Sequence, residues 1–175
     1  MTENERNVVK LLIRITHDNQ NNKLIKSIKD KFIKDFTVNV KKNPNYLISL
    51  LEIAYKEKNA LDVYYSLCIG FHFDLFTKDF VNIFIKLIES DWHNEHEDIA
   101  SIMQYLKSPK TVNCLYNTAL KQFKYLDYDE FYALAVKCIW ALGAIKTDEA
   151  REKLKLLSKS KNIIIKENAI KQLSM

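Results

Sequence analysis

Asp91-Trp92-His93-Asn94-Glu95-His96-Glu97-Asp98 carries four carboxylates, two imidazoles and an indole in eight residues, with no Lys or Arg. Three kinds of chemistry draw on such residues: metal ligation, general acid/base work, and recognition of a basic surface. Metal ligation on a helix asks for histidines four apart with an acid between them. Here the histidines stand three apart. Cys68, Cys114 and Cys138 fall in apolar helical segments, so no thiolate joins them to complete a tetrahedron. No metal and no cofactor are expected. Acid/base catalysis requires a pocket that perturbs the carboxylates. The chain has no Ser-His-Asp order and no Cys-His pair, and its glycines, Gly70 and Gly143, are too isolated for a phosphate loop. No enzymatic activity is expected.

A second acidic turn, Asp127-Tyr128-Asp129-Glu130, strengthens the third reading. It also lacks a base, and its flanks are aromatic: Phe123, Tyr125, Phe131 and Tyr132. Tyr128, between two acids, should be exposed. Trp92 either plugs a gap between helices or stands out as an interface anchor.

These turns must be positioned by helices. The 175 residues include only two glycines and two prolines, and almost half are apolar. That composition suits one domain of 1–175 built from helices and short polar turns. No run of about 18 apolar residues exists to span a membrane, and the N-terminus lacks an apolar signal segment. The scattered cysteines read as buried thiols of a cytoplasmic protein. Net charge is +5, distributed as +5 over residues 1–60, −5 over 61–150 and +5 over 151–175. The acidic turns therefore sit in the acidic middle.

Val8, Val9, Leu11, Leu12 and Ile15 begin a helical stripe that Leu24, Ile25, Ile28, Phe32 and Ile33 continue. Pro44 suits the first turn of the next helix. Further helices are predicted at about 60–73, 77–90, 96–107, 109–124, 130–145, 147–159 and 163–173. Several are copies. Residues 99–115 align with 138–154, placing Leu106 on Ile145, Lys107 on Lys146, Ser108 on Thr147 and Leu115 on Leu154. In each copy one Lys follows an apolar helix, and Ser or Thr is placed to cap the next. Thr77 begins an earlier copy, and Ile139 and Leu142 recur as Ile170 and Leu173. Offsets of 39 and 31 residues are those of stacked helical pairs. The 130–145 segment is apolar nearly all round, so Trp140 is read as core, costing about 3–5 kcal/mol on truncation to Ala.

Ala141-Leu142-Gly143-Ala144-Ile145-Lys146-Thr147-Asp148-Glu149-Ala150, followed by Leu154 and Leu157, resembles the HEAT-type repeat of the short, bilin-lyase-like kind. The likeness is clearest over 96–173. It implies an all-α, right-handed α-solenoid of about four to five HEAT-like helical hairpins. Taken together, the 91–98 turn, the 128–143 helix and Asn162–Leu173 resemble small HEAT-repeat immunity proteins that bacteria encode beside polymorphic, contact-delivered toxins. That likeness implies a cytoplasmic protein, monomeric alone, that binds and neutralises a cognate toxin domain, a nuclease, by occluding its basic active site.

Register supplies the candidate surface. Both acidic turns precede helices that align as equivalents, and equivalent helices of adjacent repeats stack about 10 Å apart. Asp91, Trp92, His93, Glu95, His96, Glu97, Asp98, Asp127, Tyr128, Asp129 and Glu130 are therefore read as one partner-binding edge. The alternative partner is nucleic acid, met by Lys26, Lys29, Lys31 and Lys34 or by Lys153, Lys155, Lys159 and Lys161. It is disfavoured by the stock of only three arginines, Arg6, Arg14 and Arg151.

Overall fold

The computed structural model describes residues 1–15 and 22–175. Residues 16–21, and the side chains of Arg14 and Ile15 named above, lie outside the described residues. Within those residues every regular element is helical. The α-helices are α1 (Glu3–Ile15), α2 (Asn22–Asp35), α3 (Asn45–Glu57), α4 (Ala60–Phe73), α5 (Val81–Ile88), α6 (His96–Leu106), α7 (Val112–Leu120), α8 (Ala133–Ile145), α9 (Asp148–Leu157) and α10 (Ile163–Leu173). The chain forms two compact units, Met1–Phe76 and Thr77–Met175.

In the first unit, Thr2 and Glu5 cap α1 reciprocally. The Glu5 N–H donates to Thr2 Oγ1 at 3.2 Å and the Thr2 N–H donates to Glu5 Oε2 at 2.8 Å. Glu5 is buried and also accepts from the Tyr46 hydroxyl of α3 at 2.7 Å. Arg6 grips the buried Asp62 of α4 with two hydrogen bonds, of 2.8 and 3.0 Å. Two parallel N–H···O bonds fix direction as well as distance. Around these polar ties Val9, Leu12, Phe32, Leu47, Leu51 and Val63 are fully buried. Gly70 is there for space: a Cβ on it would lie 2.1 Å from the Phe76 ring.

The second unit holds the segments that align in sequence and both acidic turns. Helix α8 packs against α6 and α10, while α7 packs against α5 and α9. The aligned segments therefore lie in two rows, α6–α8–α10 and α5–α7–α9. The repeated Lys has a common backbone role. Lys107 and Lys146 end α6 and α8 in the left-handed region, at φ 50° and 57°. Such a residue turns the chain sharply into the next helix, a place usually held by glycine. Lys58 ends α3 in the same way in the first unit. After Lys146, Thr147 caps α9 by accepting from the Ala150 N–H at 3.2 Å. Ser108 makes no such bond; Pro109 follows it and a 3-10 turn, Pro109–Thr111, leads into α7.

Three expectations are corrected here. The predicted 109–124 helix stops at Leu120, and a further 3-10 turn, Lys124–Leu126, follows. Lys121 is already extended, which lets Phe123 turn inward and pack on a histidine ring. The 130–145 helix begins only at Ala133, because Tyr132 stands at φ 52° and interrupts the helical run. Trp140 is half-buried, not core. Its Nε1–H donates to Asn168 Oδ1 at 3.1 Å, and Lys171 Nζ lies 5.1 Å from the ring. One face lines an open cleft with Gln104, Arg151 and Gln172. Gln172 also lies over Gly143, where a Cβ would come within 1.9 Å of its Oε1. Trp140→Ala is therefore expected to cost about 2 kcal/mol, below the range for a fully buried ring. Thermal melting of the variant checks this; a loss above about 4 kcal/mol would return Trp140 to the core.

Among the described residues no helix is long and apolar enough to cross a membrane. Cys114 and Cys138 are buried, and burial pushes the Cys114 thiol up to about 12, so it stays protonated. Cys68 is half-buried.

Candidate functional edge

Between α5 and α6 the chain must turn, and the carbonyls at and just beyond the end of α5 need donors from outside the helix. The two histidines bond two of them. His93 Nε2–H donates to Leu87 O at 2.9 Å, and its Nδ1 accepts from the Glu95 N–H at 3.1 Å. His96 Nε2–H donates to Ser90 O at 2.7 Å, and its Nδ1 accepts from the Tyr125 hydroxyl at 2.9 Å. The rings stack at 4.4 Å, and Phe123 lies 4.1 Å from His96 on centroids. Relative exposure is 1% for His93 and 0% for His96. Both are therefore removed from the partner-facing set: they are buried fasteners of the turn. All four ring nitrogens are committed, and among the described residues no group of three or more His, Cys, Asp or Glu could hold a metal ion.

Burial holds both imidazoles neutral. It pushes His96 down to about 4, against the opposing pull of its bond to Ser90, and lowers His93 as well. In an unfolded chain each would titrate near about 6.5. Between those values the unfolded state binds protons that the folded state refuses, so stability falls as pH drops from about 6.5 toward 4. Glu95 and Asp98 act in the opposite sense. Burial raises both, and repulsion from Asp98 adds to the rise at Glu95, so protonation in acid relieves them. Ring carbon shifts in NMR should show His96 neutral at pH 5 in the folded protein. A midpoint near 6.5 would mean that the ring is open to water.

The Tyr125–His96 bond joins the two acidic turns, and an ion pair of 3.0 Å joins Lys137 of α8 to Glu97 of α6 beside them. These contacts bring together Glu95, Glu97 and Asp98 with the 124–132 loop. Exposure then sorts the sequence-derived set. Asp91, Asp127 and Glu130 are exposed, and Tyr128 is 94% exposed, as its acidic neighbours predict. Trp92 is half-buried, edge-on to His93 at 4.9 Å. Asp129 is turned inward: its carboxylate accepts from the Phe131 N–H at 3.0 Å and the Ala133 N–H at 2.6 Å, capping α8. The edge is also less purely acidic than its turns suggest. Lys137 neutralises Glu97, and Lys121 reaches across to donate to Glu89 O at 2.8 Å. Both lysines lie outside the turns, where sequence order hides them.

Sequence reading did not place two other exposed rings on this edge. Phe131 is 79% exposed and Tyr132 is 40% exposed. Their position just before an apolar helix made them look like packing residues. The αL backbone at Tyr132 breaks the helical register and turns them out. Beneath the loop is a cavity of about 460 Å³, walled by Leu120, Phe123, Leu126, Tyr132, Leu134 and Ile165.

The ring nitrogens of both buried histidines are taken up by bonds that hold the turn. Comparison with protein-family models, with curated proteins and with solved structures finds no match to this chain.

Proposed function

We propose that this chain is a HEAT-like α-solenoid of the immunity type, which binds a cognate toxin domain through the acidic, aromatic edge and occludes its basic active site. The observation that carries the reading is the Tyr125–His96 bond, which ties the two acidic turns into one edge around exposed Tyr128. The rows α6–α8–α10 and α5–α7–α9 support stacked hairpins, and the Lys107 and Lys146 turns support their repetition. A domain that attacks nucleic acid must be basic where phosphate binds. An acidic surface steers encounter with such a site, and aromatic anchors then fill it. The chain's positive total charge does not oppose this, because charges beyond about 8 Å are largely screened at physiological salt.

Nucleic acid as the partner is less favoured. Several lysines of the basic ends already have work: Lys29 donates to His72 O, Lys31 pairs with Asp35, Lys155 pairs with Glu152, and Lys153 lies over Tyr116. The test starts with the neighbouring reading frame. It should encode a secreted protein with a basic C-terminal domain that forms a one-to-one complex with this chain and kills cells lacking it. Absence of such a domain, or a domain that this chain neither binds nor neutralises, would overturn the proposal. Salt-dependent retention on immobilised DNA in its place would move the function to the basic ends.

A further inference from the structure

The 121–132 loop combines two properties that loops rarely combine: it displays large aromatic rings to water, and it is tightly held. Tyr128 and Phe131 are 94% and 79% exposed, three residues apart. Their loop is tethered along its length. At one end Lys121 Nζ donates to Glu89 O, with the ammonium 4.6 Å above the Phe123 ring. Phe123 is buried, and the Tyr125 hydroxyl donates to His96. A 3-10 turn spans Lys124–Leu126, and the Leu126 carbonyl accepts from the Asp129 N–H at 2.9 Å. At the far end the Asp129 carboxylate takes the Phe131 and Ala133 N–H groups.

Tyr132 adds a backbone observation. At φ 52° it occupies a region that costs a side-chain-bearing residue about 1 kcal/mol or more. Glycine would adopt the same turn without that cost, yet the position carries a ring that forms part of the cavity wall. Strain of this kind persists where the surroundings over-determine it, and it clusters at ligand clamps. Order of this kind also matters energetically, since a rigid aromatic surface loses little conformational freedom on binding.

Resting on the reading of this edge as an interface, we propose that the 121–132 loop is its anchor, and that the cavity behind it takes an apolar side chain from a basic polypeptide segment. Tyr128 and Phe131 clasp that segment from outside. Charge decides the occupant. Asp127 stands on the cavity wall and Glu130 is exposed on the same loop, while Lys121 of that wall is held on Glu89 O and over the Phe123 ring and Asp129 is held by two backbone N–H groups, so Lys or Arg beside the inserted side chain meets the Asp127 and Glu130 carboxylates. Leu120, Phe123, Leu126 and Ile165 supply the apolar floor. A volume near 460 Å³ exceeds the space needed for one ring, and neutral small molecules fit pockets of that size too. Such a ligand would ignore the carboxylates, and this separates it from the proposed occupant.

The probe is a labelled hexapeptide, Lys-Lys-Phe-Leu-Lys-Lys, titrated into the ¹⁵N-labelled full chain. Amide shifts should concentrate at 120–134 and 162–165. Replacing Phe-Leu by Ser-Ser in the peptide should weaken binding by about tenfold or more, as should Tyr128→Ser with Phe131→Ser in the protein. Both rings are exposed, so the variant should keep wild-type helicity. A Glu-for-Lys peptide should not bind. Shifts confined to other acidic residues, an unaffected double-Ser variant, or equal binding of an uncharged Ser-Ser-Phe-Leu-Ser-Ser peptide would each overturn the anchor. The immunity reading fails separately. If the peptide binds as described but no neighbouring toxin domain does, the anchor stands without it. If a toxin domain binds and the double-Ser variant leaves its affinity unchanged, the anchor falls and the immunity reading stands.

Discussion

His96→Ala is expected to destabilise the protein by about 3–5 kcal/mol, the cost of emptying a fully buried ring site and orphaning its polar partners. The ring has no exposed surface and lies between His93 and Phe123, so its removal leaves a cavity between two aromatic faces. It also strips Ser90 O of a donor and leaves the Tyr125 hydroxyl facing that cavity. Those bonds fasten the 91–98 turn to the 124–132 loop, so amide exchange in both segments should accelerate beyond the global change in stability. Tyr125→Phe is the matched control. It keeps the ring, removes one hydroxyl, and should cost about 1 kcal/mol. Thermal and urea unfolding would measure both variants. If His96→Ala melts within about two degrees of wild type, the histidines do not hold this edge together.

Reversing Asp127 and Glu130 together to Lys should weaken binding of the cognate toxin domain by at least about 30-fold, roughly 2 kcal/mol. Both residues are exposed, and neither side chain is held by a hydrogen bond among the described residues. Folding should therefore be spared, because surface changes of this kind stay within about 0.5 kcal/mol each. Asp129 and Glu97 would be poor choices. Asp129 clamps the loop and Glu97 is paired to Lys137, so loss of function there would confuse structure with contact. Breaking a close interfacial charge pair costs about 2–5 kcal/mol, and reversal also slows encounter. Raising salt should narrow the gap between variant and wild type in association rate. Protection of cells from toxin expression should fall in parallel. A variant that binds and protects like wild type would reduce this edge to a solvated rim and move the contact elsewhere.

Helix content was legible from the chain because it is local. Apolar spacing at three and four residues shows a helix face whatever it packs against. The Lys107/Lys146 alignment works because the same sharp turn recurs between copies. The clustering of acids in two turns was equally plain, since charge is carried by residue type. The sequence could not show which of those residues face water. His93 and His96 look like polar residues in a polar turn, yet each bonds a carbonyl at or just beyond the end of α5, Leu87 O and Ser90 O, and burial then holds them neutral. Asp129 looks as free as Asp127, but the start of α8 needs an acceptor and takes its carboxylate. Trp140 was misjudged for the same reason, and the exposure of Phe131 was not foreseen. An apolar side chain is buried only if a neighbouring element covers it: over Trp140 the groove stays partly open, and at Tyr132 the backbone leaves the helix and carries Phe131 into solvent. Sequence by itself determined the helices and the acidic character of the turns. Tertiary structure alone decided which carboxylates and rings are free to meet a partner, because accessibility and pairing belong to the packed neighbours of a residue and not to the residue.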